Sequence, residues 1–254
     1  MAARRRRSAC LACLLAVALR AQAQTDEIQV YDAAIAAPGE FNLTWHDNYT
    51  PAGRTQAAFA GGVVPDHALN GVPEWAYGVT DWLEAGAYVP IYTRTADGAL
   101  LFDGVKLRAL FVAPHAQERT FFYGLNLELS YNTPHWDPSR YSGELRPIVG
   151  WHLGRWDLIV NPILDTEFNG LGKLDFAPAG RAAFRLNSAV QLALEDYGDF
   201  GPLQHWRPGS QQVQTLFAVL DYGSGGNGIE FGIGRGLTAA SGATVIKLMV
   251  MHDL

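Results

Sequence analysis

Cysteine is nearly absent from the 254-residue chain, and its two cysteines, Cys10 and Cys13, lie close to the N-terminus. Residues 1–23 combine four consecutive arginines, a short apolar run and the sequence Ala21-Gln22-Ala23, which predicts a signal peptide that is cleaved after Ala23. The mature chain, residues 24–254, would then contain no cysteine, which excludes disulfides as a means of stabilising it.

Long apolar stretches and positive charge are also scarce. Beyond residue 23 no stretch reaches the ~20 apolar residues of a membrane-spanning helix, and none has a convincing amphipathic helical period. Cleavage removes five arginines and no acid, which leaves 14 Lys and Arg against 25 Asp and Glu, a net charge of −11. This acidity argues against nucleic acid as a partner. Charged residues form only 17% of the chain, a small share for a surface that faces water throughout.

The chain contains short alternating segments instead. Residues 120–131, TFFYGLNLELSY, alternate without interruption, as a strand with two different faces does. One face carries Leu125, Leu127 and Leu129, and the other carries Asn126, Glu128 and Ser130. Twelve such strands are predicted, at roughly 39–49, 73–80, 83–93, 103–113, 119–131, 142–153, 156–168, 174–186, 189–199, 212–223, 228–237 and 242–254.

The connections between these strands alternate between long and short. Residues 50–72 and 200–211 form long connections, whereas Gly154-Arg155 and Asn187-Ser188 form tight ones. This alternation is typical of an outer-membrane barrel, with loops outside the cell and turns in the periplasm. We therefore predict an all-β fold, a single antiparallel up-and-down transmembrane β-barrel of about 12 strands in residues 24–254, located in the outer membrane of a Gram-negative bacterium.

Aromatic residues and prolines add two local expectations. The aromatic residues near the tight turns are Trp82, Trp151 and Trp156, and those near the long loops are Tyr49, Tyr92, Tyr131 and Phe168. Two such sets match the aromatic girdles of a barrel in lipid, although strands are also rich in aromatic residues generally. Pro147 and Pro162 fall inside predicted strands at equal distances from the Gly154-Arg155 turn, so we expect a paired bulge or kink.

Several segments carry a resemblance to a known family. They are DEIQVYDAAIAAPGEFNLTWHDNYTPAG, EWAYGVTDWLEAGAYVPIY, VKLRALF, ELRPIVGWHLG and LDFAPAGR. Together they resemble an uncharacterised family of Gram-negative outer-membrane β-barrel proteins, and they are similar to the transporter-like barrels of the phenol-degradation MetA type. The resemblance implies a β-barrel with a possible role in transport, and it names no substrate. Leu254 departs from the terminal aromatic residue that is common in such barrels.

A barrel in lipid would turn its polar faces toward the lumen. The charged and histidine side chains expected to line it are Glu40, His46, Glu84, Lys106, Arg108, Glu128, Glu144, Arg146, Asp165, Arg181, Arg185, Glu195, Glu230 and Lys247. Such charges need partners, because an isolated charge away from water is costly. Three pairings between neighbouring strands are expected, two of them from the positions of the turns. Glu128 pairs with Lys106 or Arg108, Arg181 meets Glu195, and Glu144 faces Asp165 with Arg146 placed to neutralise the two.

Three functions are compatible with these residues. The first is a passive channel for small solutes that uses the lumen charges for selection, and the second is a plugged barrel with a structural or surface-interaction role. The third is a lipid-modifying hydrolase, for which His46, His135 and His152 are the candidates, but no G-x-S-x-G motif is present. No catalytic residue, cofactor or metal site is predicted. The expected partners are outer-membrane lipid, small solutes and, during biogenesis, periplasmic chaperones and the barrel-assembly machinery.

Overall fold

The computed structural model describes residues 26–224 and 227–254, so the predicted signal peptide lies outside the described residues. The strands are β1 (Phe41–Ala52), β2 (Leu69–Gly78), β3 (Leu83–Arg94), β4 (Leu100–Val112), β5 (Phe121–Asn132), β6 (Tyr141–Leu153), β7 (Trp156–Asn161), β8 (Leu164–Thr166), β9 (Asp175–Phe176), β10 (Ala179–Arg185), β11 (Val190–Asp199), β12 (Gly201–Pro202), β13 (Val213–Ser224), β14 (Asn227–Gly236) and β15 (Thr244–Asp253). In this part of the chain, helical structure is limited to three short 3-10 turns, Ala116–Glu118, Leu171–Lys173 and Gly209–Gln211. None of the described helices is long and apolar enough to cross a membrane.

These strands form one closed antiparallel sheet. Successive strands are neighbours, and β15 pairs with β1, with Asn42 opposite Asp253 and Tyr49 opposite Ile246. β7 and β8 together fill one position in the wall, β9 and β10 fill another, and the short β12 pairs with β9. The wall therefore has twelve strand positions, which confirms the predicted up-and-down barrel.

The alternating sequence of β5 sets its two faces. Leu127 and Leu129 are 39% and 50% exposed on the outer surface, whereas Asn126 is fully buried and Glu128 is 7% exposed. On β4, Leu107 lies opposite Leu129 and is 60% exposed. Apolar side chains outside and polar side chains inside are the arrangement of a barrel surrounded by lipid.

The two ends of the barrel differ in their connections. One end, the loop side, carries residues 53–68 and 133–140, and the other end, the turn side, carries the two-residue turn at 154–155. Both ends of the wall lie on the turn side, where the Leu254 N–H donates to the Phe41 carbonyl at 2.8 Å. One boundary prediction was wrong, because β2 begins at Leu69 rather than near residue 73.

Aromatic side chains project outward near both ends of the wall. On the turn side these are Trp82, Trp151 and Trp156, and on the loop side they are Tyr49, Tyr131 and Phe168, all at least 37% exposed. Tyr92, the seventh predicted member, is partly buried because its hydroxyl bonds Asp47 at 2.6 Å. Six of the seven residues therefore have the outward exposure of the aromatic girdles of lipid-embedded barrels.

Three prolines lie side by side in three neighbouring strand positions. The ladders of β6 with β7 and with β8 keep one register, which places Pro147 opposite Pro162. The ladders of β7 with β10 and of β8 with β9 place Pro162 opposite Pro178 in the same way. Proline has no N–H to donate, so the hydrogen bonding of the wall is interrupted at this row. The register does not shift, so the paired prolines produce an interruption rather than a bulge.

Candidate functional site

The interior of the barrel contains the segment that precedes its first strand. This segment, residues 26–36, is named the N-terminal plug. Its most deeply buried apolar residues are Ile28, Val30, Tyr31 and Ala33, each less than a tenth exposed. The chain leaves the lumen on the turn side, where the Gly39 N–H donates to the Gly78 carbonyl at 2.8 Å. The lumen is thus occupied by the protein's own chain. A plugged barrel was one of the alternatives from the sequence, but residues 26–36 were not identified as the plug.

Wall side chains bind the backbone of the plug directly. The Asn161 side chain accepts a hydrogen bond from the Tyr31 N–H at 2.7 Å and donates one to the Tyr31 carbonyl at 3.1 Å. The Ala36 N–H donates to a Glu84 carboxylate oxygen at 2.6 Å. Since the plug forms no strand, these side chains satisfy backbone groups that would otherwise be buried without partners.

The ring of Tyr31 is the centre of the contacts around the plug. The guanidinium of Arg146 lies 4.4 Å from the ring centroid and that of Arg108 lies 5.5 Å from it. The Tyr31 hydroxyl also hydrogen-bonds the Tyr88 hydroxyl of the wall. Two cations beside one aromatic ring are a favourable arrangement away from water.

Apolar packing closes the turn-side half of the lumen. Val30, Tyr31 and Ala33 of the plug belong to one buried cluster with wall residues Leu110, Val112, Ala116, Phe122, Ile148, Ile159, Ile163 and Ala179. Burial of one aliphatic side chain such as Val30 stabilises a fold by about 1.5–3 kcal/mol. This half of the barrel is therefore a packed hydrophobic core built around the plug.

Arg108 organises one group of lumen charges. Its Nη2 atom lies 2.5 Å from a Glu74 carboxylate oxygen and 2.6 Å from one of Glu84. The Nε2 atom of His46 contacts the other oxygen of Glu74 at 2.9 Å. Four neighbouring strands, β1 to β4, are thereby linked in one network of ion pairs and hydrogen bonds.

Lys106 and Arg146 connect the plug to the wall. The Nζ atom of Lys106 lies 3.0 Å from Asp26 and 3.1 Å from Glu128, which confirms the predicted partner of Glu128. Arg146 contacts Glu144 at 2.6 Å and Glu27 at 3.2 Å. Each cation therefore joins an acid of the plug to an acid of the wall.

A third network lies on the opposite wall. Arg181 forms ion pairs with Glu195, as predicted, and with Asp221 and Glu230. Lys247 pairs with Glu195 and Glu230 and donates to the Ile28 carbonyl of the plug at 3.2 Å. The last strand, β15, is thus linked to the plug through Lys247.

The structure places twelve of the fourteen predicted residues inside the barrel. These are His46, Glu84, Lys106, Arg108, Glu128, Glu144, Arg146, Asp165, Arg181, Glu195, Glu230 and Lys247. Arg185 lies at the turn-side end, where it pairs with Asp157 at 3.0 Å and its side chain is 47% exposed. Glu40 is a correction, because the wall begins only at Phe41 and the Glu40 side chain is exposed outside the lumen.

Some charged residues of the lumen were missed from the sequence. Glu74 was missed although it lies inside the predicted strand 73–80, where the outward Trp75 and Tyr77 indicate that its side chain points inward. Asp157 and Asp221 lie near strand ends, where the predicted boundaries were least certain. Arg146 forms an ion pair with Glu144, one member of the predicted Glu144–Asp165 contact, and its other ion pair is with Glu27.

Carboxylates occupy four consecutive positions of one row across the wall. The residues of this acidic row are Glu128 on β5, Glu144 on β6, Asp165 on β8 and Asp175 on β9, each directly opposite the next. Like charges at opposed positions are destabilising. The row borders a cavity of about 980 Å³ that is lined by loop-side residues. A smaller cavity of about 210 Å³ adjoins it at Asp165.

The histidines considered for catalysis each contact a carboxylate. His46 bonds Glu74, the Nε2 atom of His135 lies 2.8 Å from Asp103, and the Nδ1 atom of His152 lies 2.7 Å from Asp157. Within the ranges 26–224 and 227–254, no group of three or more His, Cys, Asp or Glu side chains could hold a metal ion.

Comparison with known proteins identifies the architecture. No family model matches the chain, and no curated protein matches it either. An outer membrane channel from Pseudomonas putida F1 has a similar solved structure, with 13% sequence identity, a TM-score of 0.59 and coverage of 90% of this chain and 100% of that chain. LpxR from Salmonella typhimurium (8% identity, TM-score 0.44, 83% and 99% coverage) and OprD from Pseudomonas aeruginosa (11%, 0.40, 85% and 65%) also match. At 13% identity, the likeness to the channel from Pseudomonas putida F1 shows the β-barrel fold alone.

Proposed function

We propose that this protein is a channel for small solutes in the outer membrane of a Gram-negative bacterium, and that the N-terminal plug closes it at rest. The apolar outer face and the outward aromatic residues at both ends of the wall support a position in lipid. The similarity in fold and length to the channel from Pseudomonas putida F1 supports passage of solutes.

The observation that carries this proposal is the way the plug is held. Its acids Asp26 and Glu27 contact Lys106 and Arg146, and its backbone contacts Asn161, through ion pairs and hydrogen bonds. Residues 26–254 contain no cysteine, so no disulfide fixes the plug to the wall. Contacts of this kind can be exchanged for water, which would free the lumen.

Single-channel recording in planar bilayers tests the proposal. The intact protein is expected to give rare or small current steps, and a variant that lacks residues 26–36 is expected to give larger and longer ones. Heat-modifiable migration on a gel establishes that both proteins are folded barrels before recording. A folded deletion variant that passes no current would contradict the channel.

A second candidate is a permanently closed barrel that interacts with other molecules at the cell surface. The apolar cluster of the plug with wall residues such as Phe122 and Ile148 favours this function, since displacing the plug would expose that cluster. In that case the intact protein passes no current, and the deletion variant fails to form a heat-resistant barrel.

A further inference from the structure

The loop-side cavity has the size and position of a binding site. Its volume of about 980 Å³ lies at the upper end of the range of small-molecule sites, which is about 300–1,000 Å³. Asp26 and Glu27 of the plug line it from within the lumen, while residues 58–60 and 135–138 line it from the long loops. A solute arriving from the loop side would therefore meet this cavity before the plug.

The lining of the cavity is strongly acidic. Eight carboxylates face it, and four Lys or Arg side chains do, which gives a net formal charge of −4 with histidines neutral. The acids are Asp26, Glu27, Glu128, Asp137, Glu144, Asp165, Glu167 and Asp175, and the cations are Lys106, Arg146, Lys173 and Arg207. A concave surface of one charge sign attracts ligands of the opposite sign and repels those of its own.

Three of the four cations of the lining, Lys106, Arg146 and Arg207, form ion pairs with acids. Lys106 contacts Asp26 and Glu128, as described above, and Arg207 pairs with Asp199 at 2.6 Å and with Asp175 at 3.7 Å. These side chains therefore do not offset the remaining negative charge.

Asp165 holds the least compensated position in the acidic row. It lies directly between Glu144 and Asp175. Glu144 has Arg146 and Asp175 has Arg207 as a partner, but among the described residues no cationic side chain forms an ion pair with Asp165. A ligand cation at this point would relieve the repulsion between three adjacent carboxylates.

Aromatic side chains line the same cavity. Phe59, Trp136 and Trp206 face it from three different loops. Trp206 is held in place by stacking on Phe200 and Phe176, with ring centroids 5.4 and 6.0 Å apart. Acids beside accessible indole rings are the combination that binds organic ammonium groups, through charge and cation–π attraction.

We infer that the loop-side cavity is a binding site for organic cations, that is, amines or quaternary ammonium compounds with an apolar part, and that Asp165 is the carboxylate nearest to the bound charge. The inference deepens the proposed function, on which it rests for the direction of solute entry. Binding itself requires only the folded barrel.

Isothermal titration calorimetry on the intact protein in detergent tests this site. The probes are benzyltrimethylammonium, benzoate and benzyl alcohol, which share one ring and differ in charge. The cation is expected to bind and the other two are not. Asp165→Asn is expected to weaken binding of the cation about tenfold. The matched control Asp81→Asn, in the turn-side connection, is expected to leave the affinity unchanged.

Failure to bind the cation, equal binding of benzoate, or an unchanged affinity in Asp165→Asn would each overturn the inference. Because the measurement needs no current, it separates this site from the channel. A protein that binds the cation but never conducts would retain the site and lose the proposed function, whereas one that conducts without binding the cation would do the reverse.

Discussion

Asn161 binds both backbone polar groups of Tyr31, which lies 130 residues earlier in the chain. One wall side chain thereby supplies the donor and the acceptor that a neighbouring strand would supply in a sheet. Asn161 follows Val160 at the end of β7, immediately before the gap in the ladder at Pro162. The interrupted part of the wall thus supplies one of the contacts that hold the plug.

Replacing Asn161 should loosen the plug. Asn161→Ala leaves the Tyr31 N–H and carbonyl without partners, which costs about 1–3 kcal/mol per buried group. We expect a higher open probability in planar bilayers than for the unaltered protein. Asn70→Ala is the matched control, since Asn70 is also buried but donates to Thr93 at 2.6 Å. Equal open probabilities in the two variants would contradict the role given to Asn161.

Removing Arg108 should destabilise the barrel. Arg108→Ala leaves the carboxylates of Glu74 and Glu84 buried without their cation, and breaking such a pair typically costs about 3–5 kcal/mol. The temperature at which the folded form disappears in a heat-modifiability series should fall clearly. Arg235→Ala, at an exposed position, should change it little. A matching shift in both variants would show that the network does not stabilise the fold.

A charge placed on the outer face of a strand should destabilise the protein, whereas the same charge in an exposed loop should not. Leu127→Arg, in the middle of β5, should reduce the unfolding free energy in lipid vesicles by about 2–4 kcal/mol, because the guanidinium would enter the hydrocarbon region. Leu171→Arg, at an 84% exposed loop position, should have little effect. Urea titration followed by tryptophan fluorescence measures both. Comparable losses would mean that the outer face of β5 does not contact lipid.

Backbone amide hydrogen exchange should be faster near the row of prolines than in uninterrupted strands. The backbone ladders are interrupted around Pro162 and Pro178, whereas β13 and β14 pair continuously from Thr215 opposite Gly236 to Ser224 opposite Asn227. Amides next to the prolines should therefore exchange faster than amides in the middle of β13. Uniform protection along all of these strands would rule out the interruption.

Much of the barrel could be predicted because its physical signal is local. Alternation with a period of two separates the two faces of a strand, so residues 120–131 placed the leucines of β5 on one face and Glu128 on the other. The low share of charged residues and the alternating connections then assigned the leucine face to lipid. Turn length then fixed the register, which is why the Arg181–Glu195 pair could be foreseen. The same alternation, with Trp75 and Tyr77 outside, places Glu74 inside the barrel, although Glu74 was not among the predicted lumen residues.

The plug could not be predicted because no local pattern specifies it. Residues 26–36 form no strand or helix, and their position depends on side chains such as Asn161 and Lys247 that are distant in sequence. The sequence does not show that Asp26 and Glu27 point into the lumen, because this depends on their contacts with Lys106 and Arg146 of the wall. The charge imbalance of the loop-side cavity likewise arises only when four strands and several loops come together.

Lys247 also has a consequence for the order of folding. It lies on the last strand and binds the carbonyl of Ile28, so this contact joins residues 219 positions apart in the chain. A contact of such sequence separation forms late, because almost the whole chain must be arranged first. We expect the closing of β15 onto β1 and the final seating of the N-terminal plug to be a single slow kinetic event, completed after the rest of the wall has formed.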